Sequence, residues 1–108
     1  MSNWKYNLRF EGKMLKELIN KEGGETVENV IAIYKQVISC LEYWKKRLTK
    51  EDREDWEYDI EEMIEELQCS CPSTEDENVD YYEEKENLNY WLRDFYDMCD
   101  NARVWIGI

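Results

Sequence analysis

Residues 27–48 read VENVIAIYKQVISCLEYWKKRL, and this stretch decides the fold. Its apolar side chains recur in steps of three and four residues, which is the period of an α-helix with one buried stripe. At ~1.5 Å per residue, this helix would be roughly 33 Å long. Only the flanking segments can cover its stripe, which consists of Val27, Val30, Tyr34, Val37, Leu41, Trp44 and Leu48.

The segment before this helix contains two shorter patterns. Aromatic and aliphatic side chains alternate with polar ones within residues 1–10, which predicts a short strand or an extended arm without an obvious partner. Residues 11–21 predict a helix that ends at Gly23 and Gly24, and Thr26 is placed to cap the long helix that follows.

Two further helices are predicted after residue 48. Thr49 is the expected N-cap of a helix that runs to about residue 68, and the link is short enough to make an antiparallel hairpin with the long helix. A last helix spans about residues 80–101, and the apolar tail 102–108 is expected to pack onto the bundle. The chain therefore predicts one all-α domain, residues 1–108. Its form is a compact bundle of three to four helices with a long central helix and a short N-terminal strand or arm.

The charge of the chain is divided unevenly along its length. The net charge is −12, and residues 51–108 hold 20 acidic residues against 4 basic ones. Direct binding to nucleic acid is therefore not expected, because no continuous basic surface is available to neutralise phosphates. The start of the chain has no signal-peptide pattern, and no apolar run reaches the ~20 residues needed to span a bilayer, so we expect a cytoplasmic protein without membrane association.

The residue types present argue against catalysis. Histidine is absent, which removes Ser-His and Cys-His dyads and the commonest general base. No glycine-rich phosphate loop is present. The best calcium-loop register, from Asp76, puts Tyr81 where glycine is required and Asn87 where a bidentate glutamate belongs. We expect no enzyme activity and no cofactor.

Four cysteines allow three interpretations. They could supply four thiolates to a zinc ion, or they could be reduced core and surface thiols, and a disulfide is a further alternative. Their spacing favours thiols, because two of the four stand alone in apolar helical stretches rather than in closely spaced pairs. The four are Cys40, Cys69, Cys71 and Cys99.

The strongest functional signal is an acidic face. At ~100° per residue, six acids of the predicted helix after Thr49 lie opposite its apolar stripe, and the acidic loop and next helix start add a second row. A solvated face that serves solubility would normally interleave lysines, because like charges four residues apart are destabilising. The predicted partner-binding residues are Glu51, Glu54, Asp55, Glu61, Glu62, Glu65, Asp76, Glu77, Asp80, Glu83 and Glu84.

This small, acidic, histidine-free helical chain resembles the DNA-mimic proteins of phages and mobile elements, which include anti-CRISPR and anti-restriction inhibitors. The closing stretch FYDMCDNARVWI, residues 95–106, also resembles short phage-encoded accessory proteins. The resemblance implies an inhibitor or decoy that binds the basic surface of a nucleic-acid-handling protein in the host cytosol. The alternative function is a helical structural or adaptor module that binds another protein or a second copy of itself as a homodimer.

Overall fold

The computed structural model describes residues 7–9, 26–73 and 79–107. Within these segments the bundle contains three α-helices: α1, Val27–Arg47; α2, Lys50–Ser70; and α3, Tyr81–Asn101. Two short strands accompany them, β1 at Asn7–Arg9 and β2 at Trp105–Gly107. The predicted all-α bundle is confirmed, whereas the helix predicted over residues 11–21 lies outside the described residues. No helix in the described segments is long and apolar enough to cross a membrane.

Helix α1 is the centre of the bundle. It begins after Thr26, whose hydroxyl oxygen accepts a hydrogen bond from the Asn29 N–H at 3.3 Å. It ends after three basic residues, which suit the negative end of the helix dipole. The middle of the predicted stripe is fully buried, so the two other helices are arranged around it: Val30, Tyr34, Val37, Leu41 and Trp44.

Helix α2 folds back along α1 after a two-residue link. The Asp52 N–H donates to Thr49 Oγ1 at 3.2 Å, and the Thr49 hydroxyl donates to Asp52 Oδ2 at 2.9 Å. This reciprocal cap starts α2 at the predicted place and buries the Asp52 carboxylate. The Trp44 and Trp56 rings then pack with centroids 6.2 Å apart. The predicted antiparallel hairpin is confirmed.

Helix α3 covers the other side of α1. Its N-cap is Asp80, whose Oδ1 accepts from the Tyr82 N–H at 2.9 Å. Tyr34 of α1 lies within electrostatic reach of Cys71, just after α2, and of Glu84, at the start of α3. Further along, Cys99 of α3 lies within electrostatic reach of Cys40 of α1, so α3 runs parallel to α1 and antiparallel to α2. Both helices pack extensively on α1, but they do not pack extensively on each other.

A left-handed turn ends α3 and directs the chain into β2. Arg103 has φ 59°, and the Val104 N–H donates to the Cys99 carbonyl at 2.8 Å while the Arg103 N–H donates to the Asp100 carbonyl at 3.1 Å. These two bonds form a Schellman motif with arginine at the position that favours glycine.

Strand β2 is the partner that the N-terminal strand lacked in the sequence prediction. It pairs in parallel with β1, with Leu8 opposite Ile106. Leu8 and Val104 are buried in the core, as expected for a tail packed on the bundle. Trp105 departs from that expectation, because alternation along the strand leaves its side chain 65% exposed.

Replacing Arg103 tests the turn. We expect Arg103→Gly to raise the free energy of unfolding by about 0.5–1 kcal/mol, because glycine adopts positive φ without the steric cost of a Cβ. Arg103→Ala removes the same side chain and charge but keeps the Cβ, so its stability should stay near that of wild type. Urea unfolding measures both. Equal stability of the glycine and alanine variants would contradict the assigned geometry.

Candidate functional site: an outer acidic row and an acidic groove

The acidic character of α2 follows from how little of its surface is needed for the core. Within residues 50–70, ten side chains are acidic and two are basic. Only Ile60 and Leu67 of its predicted apolar stripe are fully buried. Trp56, Met63 and Ile64 are half-buried. The predicted stripe is therefore correct in position, but α1 covers only part of it.

Four predicted partner-binding residues form what we name the outer row: Glu51, Glu54, Asp55 and Glu65. All four side chains are exposed. Tyr58, on the same side of the helix by spacing, is 74% exposed. This surface carries carboxylates with one accessible aromatic ring between them.

Three of the ten acids on α2 are engaged within the protein. Asp52 is in the reciprocal cap. Glu61 forms an ion pair with Lys45 of α1 at 2.7 Å, so its predicted role in partner binding competes with a contact inside the bundle. Glu57 lies 3.9 Å from Arg53. The other seven acids between Glu51 and Glu66 form no ion pair or helix cap with a described residue, and they give about one charge per 3.2 Å at the helical rise of ~1.5 Å. One strand of duplex DNA carries one charge per ~3.4 Å.

The predicted residues outside α2 have different positions. Glu83 is exposed, and Asp80 is exposed but engaged as the N-cap of α3. Glu84 is half-buried rather than on the acidic face, and its Oε2 has no hydrogen-bond partner among the described residues. Burial, followed by the charges of Glu84 and Cys71, raises the pKa of Tyr34 to about 12. Asp76 and Glu77 lie outside the described residues.

A groove of about 340 Å³ opens between α2 and α3. It exists because both helices pack on α1 and not extensively on each other. We name it the acidic groove. Helix α2 lines it with Trp56, Asp59, Glu62, Met63 and Glu66. Helix α3 lines it with Trp91, Asp94, Asp97, Met98 and Asn101.

The two walls of the groove share one sequence pattern. On each helix a tryptophan is followed by an aspartate at +3, an acid at +6, a methionine at +7 and an acid or amide at +10. The pattern starts at Trp56 on α2 and at Trp91 on α3, 35 residues later. Because the helices are antiparallel, the two walls are related by an approximate two-fold axis across the groove.

The floor of the groove is apolar and its rim is negative. Trp56 is held against the core by its ring contact with Trp44, and Met98 is buried. Five of the ten lining residues are carboxylates, and none is basic. The arrangement suits a ligand that combines an apolar surface with positive charge.

Among these groove carboxylates, only Glu62 belongs to the predicted partner-binding residues. Asp59 and Glu66 lie at the edges of the apolar stripe predicted for α2. Asp94 and Asp97 lie in the second half of α3, and the predicted binding residues of that region lie only near the start of the helix. The repeated spacing from tryptophan through aspartate to methionine is the signal that could have revealed both walls.

None of the four cysteines, all of which lie in the described part of the chain, forms a disulfide. Cys40 and Cys99 are buried and interact electrostatically, whereas Cys71 interacts with Lys35 and Glu84. Within the described residues, no group of three or more His, Cys, Asp or Glu side chains is placed to hold a metal ion. Burial raises the pKa of the Cys40 thiol to about 11 and, together with Cys40, raises that of Cys99 to about 12.

These raised pKa values predict alkaline destabilisation. The unfolded thiols lose their protons near pH 9.0, before the folded thiols do, so their stabilisation is complete below pH 9.0 and is lost as pH rises towards about 12. Each thiol should contribute a slope of up to about 1.4 kcal/mol per pH unit to the free energy of unfolding. Urea unfolding across this range should show a shallower slope for the Cys40→Ala/Cys99→Ala variant than for wild type.

The control for this experiment is Ser39→Ala, because Ser39 is an exposed residue of the same helix as Cys40 and does not titrate in this range. Its slope should equal that of wild type. An unchanged slope in the double variant would show that other groups, Tyr34 among them, cause the loss of stability at alkaline pH.

Comparison with known proteins gives no relative from which a function could be transferred. No family model matches the chain. No curated protein and no solved structure matches it either.

Proposed function

We propose that this protein binds the basic, nucleic-acid-binding surface of another protein and blocks it, as a DNA mimic of the anti-CRISPR or anti-restriction type. The proposal is based on the seven acids of α2 that take part neither in the helix cap nor in an ion pair with a described residue. Their mean axial spacing is close to that of phosphates along one strand. Carboxylates held on a helix can form ion pairs with the lysine and arginine side chains that otherwise bind phosphates.

The energetic cost of this face supports the proposal. Asp55 and Asp59, and likewise Glu62 and Glu66, are like-charged neighbours four residues apart. Each such pair destabilises the free helix by roughly 0.2–0.5 kcal/mol. A partner with lysines and arginines at matching positions would relieve this repulsion on binding.

A helical adaptor module is the alternative function, and competition with DNA separates the two. A DNA mimic and duplex DNA bind the same surface of the target, so each displaces the other. An adaptor retains its partner in the presence of DNA. Self-association of this chain through its acidic faces would have to overcome a net charge of −12 on each copy.

Neutralising part of the outer row tests the proposal. In the variant Glu54→Gln/Asp55→Asn/Glu65→Gln, the free energy of unfolding should be unchanged or slightly higher, because the repulsion of Asp55 with Asp59 and of Glu65 with Glu61 is removed. Proteins of a cell extract are first bound to immobilised duplex DNA. Wild-type protein should then release its target from that DNA, and the variant should release much less. Direct binding of the released target to the wild-type protein should weaken as salt rises, because these carboxylates are exposed.

The matched control changes the net charge by the same amount elsewhere. Glu42→Gln/Glu86→Gln/Asp100→Asn removes three exposed acids from α1 and α3 and should release the target as wild type does. Soluble polyglutamate shows how much release any polyanion causes. If the outer-row variant releases as much target as wild type at physiological salt, the DNA-mimic proposal is wrong.

A further inference from the structure

The acidic groove has features that electrostatic mimicry of DNA does not require. A surface that imitates phosphates needs exposed charge, whereas this groove also presents Trp56, Met63 and Trp91 as half-buried apolar side chains. These side chains lie beside buried Met98 and below five carboxylates. Apolar surface left uncovered between two helices, with charge of one sign around it, is typical of a protein-binding groove.

We propose that the acidic groove binds a basic amphipathic α-helix of a partner protein. The apolar side chains of that helix would rest on the tryptophan and methionine floor, and its lysines and arginines would face the carboxylates of both walls. Bound in this way, the helix would pack against α2 and α3 as a further helix beside the three that the described residues form.

The dimensions of the groove fit a short helix. Its lining residues on α2 run from Trp56 to Glu66, which is ~15 Å at the helical rise, or about three turns of a bound helix. Tryptophan and methionine are seven residues apart on each wall, which is ~10.5 Å, or two turns. A bound helix with apolar residues at i and i+7 would match that spacing, and basic residues between them would lie near Asp59 and Asp94.

Charge selects this occupant over a second copy of the chain. A second acidic groove would bring five more carboxylates against the first five, and the whole copy carries −12. A small polyamine would satisfy the carboxylates but would cover little of the two tryptophans and two methionines. An amphipathic cationic helix satisfies both the charge and the apolar floor.

The test uses the full chain and a synthetic peptide of about 14 residues, made only of leucine and lysine with leucines at helical spacing. We expect binding that shifts the indole N–H signals of Trp56 and Trp91 in heteronuclear NMR. Asp94→Asn/Asp97→Asn should raise the Kd for the peptide at least about tenfold, since it removes two charges that face the peptide. Trp91→Ala should also raise the Kd for the peptide, and thermal unfolding reports whether that variant is folded.

The matched control is Glu86→Gln/Asp100→Asn, which removes two exposed acids of the same helix outside the groove. It should bind the peptide as wild type does. A scrambled leucine–lysine peptide without helical period and a leucine–glutamate peptide should bind at least about tenfold more weakly than the amphipathic one.

Several results would overturn the inference. Equal binding of the amphipathic and scrambled peptides would show attraction by charge alone. Displacement of the peptide by equimolar spermine would indicate a polyamine site, and loss of peptide binding on dilution of a self-associated protein would indicate a homodimer. The inference does not rest on the DNA-mimic proposal, because its variants lie on α3 and the outer-row variant should bind the peptide normally. Either proposal can therefore fail without the other.

Discussion

Burial of the α1 stripe is the interaction on which the rest of the structure depends. Tyr34, Leu41 and Trp44 are completely buried, and burying a large apolar side chain is worth about 1.5–3 kcal/mol. An exposed ion pair is typically worth less than about 1 kcal/mol. Helices α2 and α3 therefore take positions that cover α1, even though this leaves Trp56 and Trp91 only partly covered between them. The acidic groove is a consequence of that preference.

The charges of the chain are placed so that the groove stays open. Asp59, Glu62 and Glu66 on one wall face a second wall with Asp94 and Asp97. Like charges repel across the gap, and closure of the groove would also desolvate them; both effects oppose the gain from burying Trp56 and Trp91 between α2 and α3. Glu61 shows the opposite arrangement, because Lys45 of α1 ties it to the side of the bundle that is packed.

Much of the fold could be predicted from local pattern, and the site much less so. The period of α1, the caps at Thr26, Thr49 and Asp80, and the short hairpin link are all encoded within a few residues. The pairing of β2 with β1 joins the two ends of the chain, and no local signal carries it. Periodicity gave the direction of the α2 stripe but not its coverage, because coverage depends on how far α3 lies from α2. Glu84, one of the predicted partner-binding residues, is half-buried for a related reason: burial depends on neighbouring elements.

The outer row and the acidic groove should respond differently to ionic strength. Outer-row carboxylates are surrounded by water, and at 0.15 M salt the Debye length of ~8 Å screens much of their attraction for a partner. Attraction in the groove acts beside tryptophan and methionine surface, where contact removes water and hydrophobic burial adds a contribution that salt does not screen. A partner that engages the outer row alone should therefore dissociate steeply with salt. A partner that also inserts a helix into the groove should retain some affinity at high salt. The Trp91→Ala variant should lose this salt-independent affinity, while the steep decrease of affinity at lower salt should be unchanged.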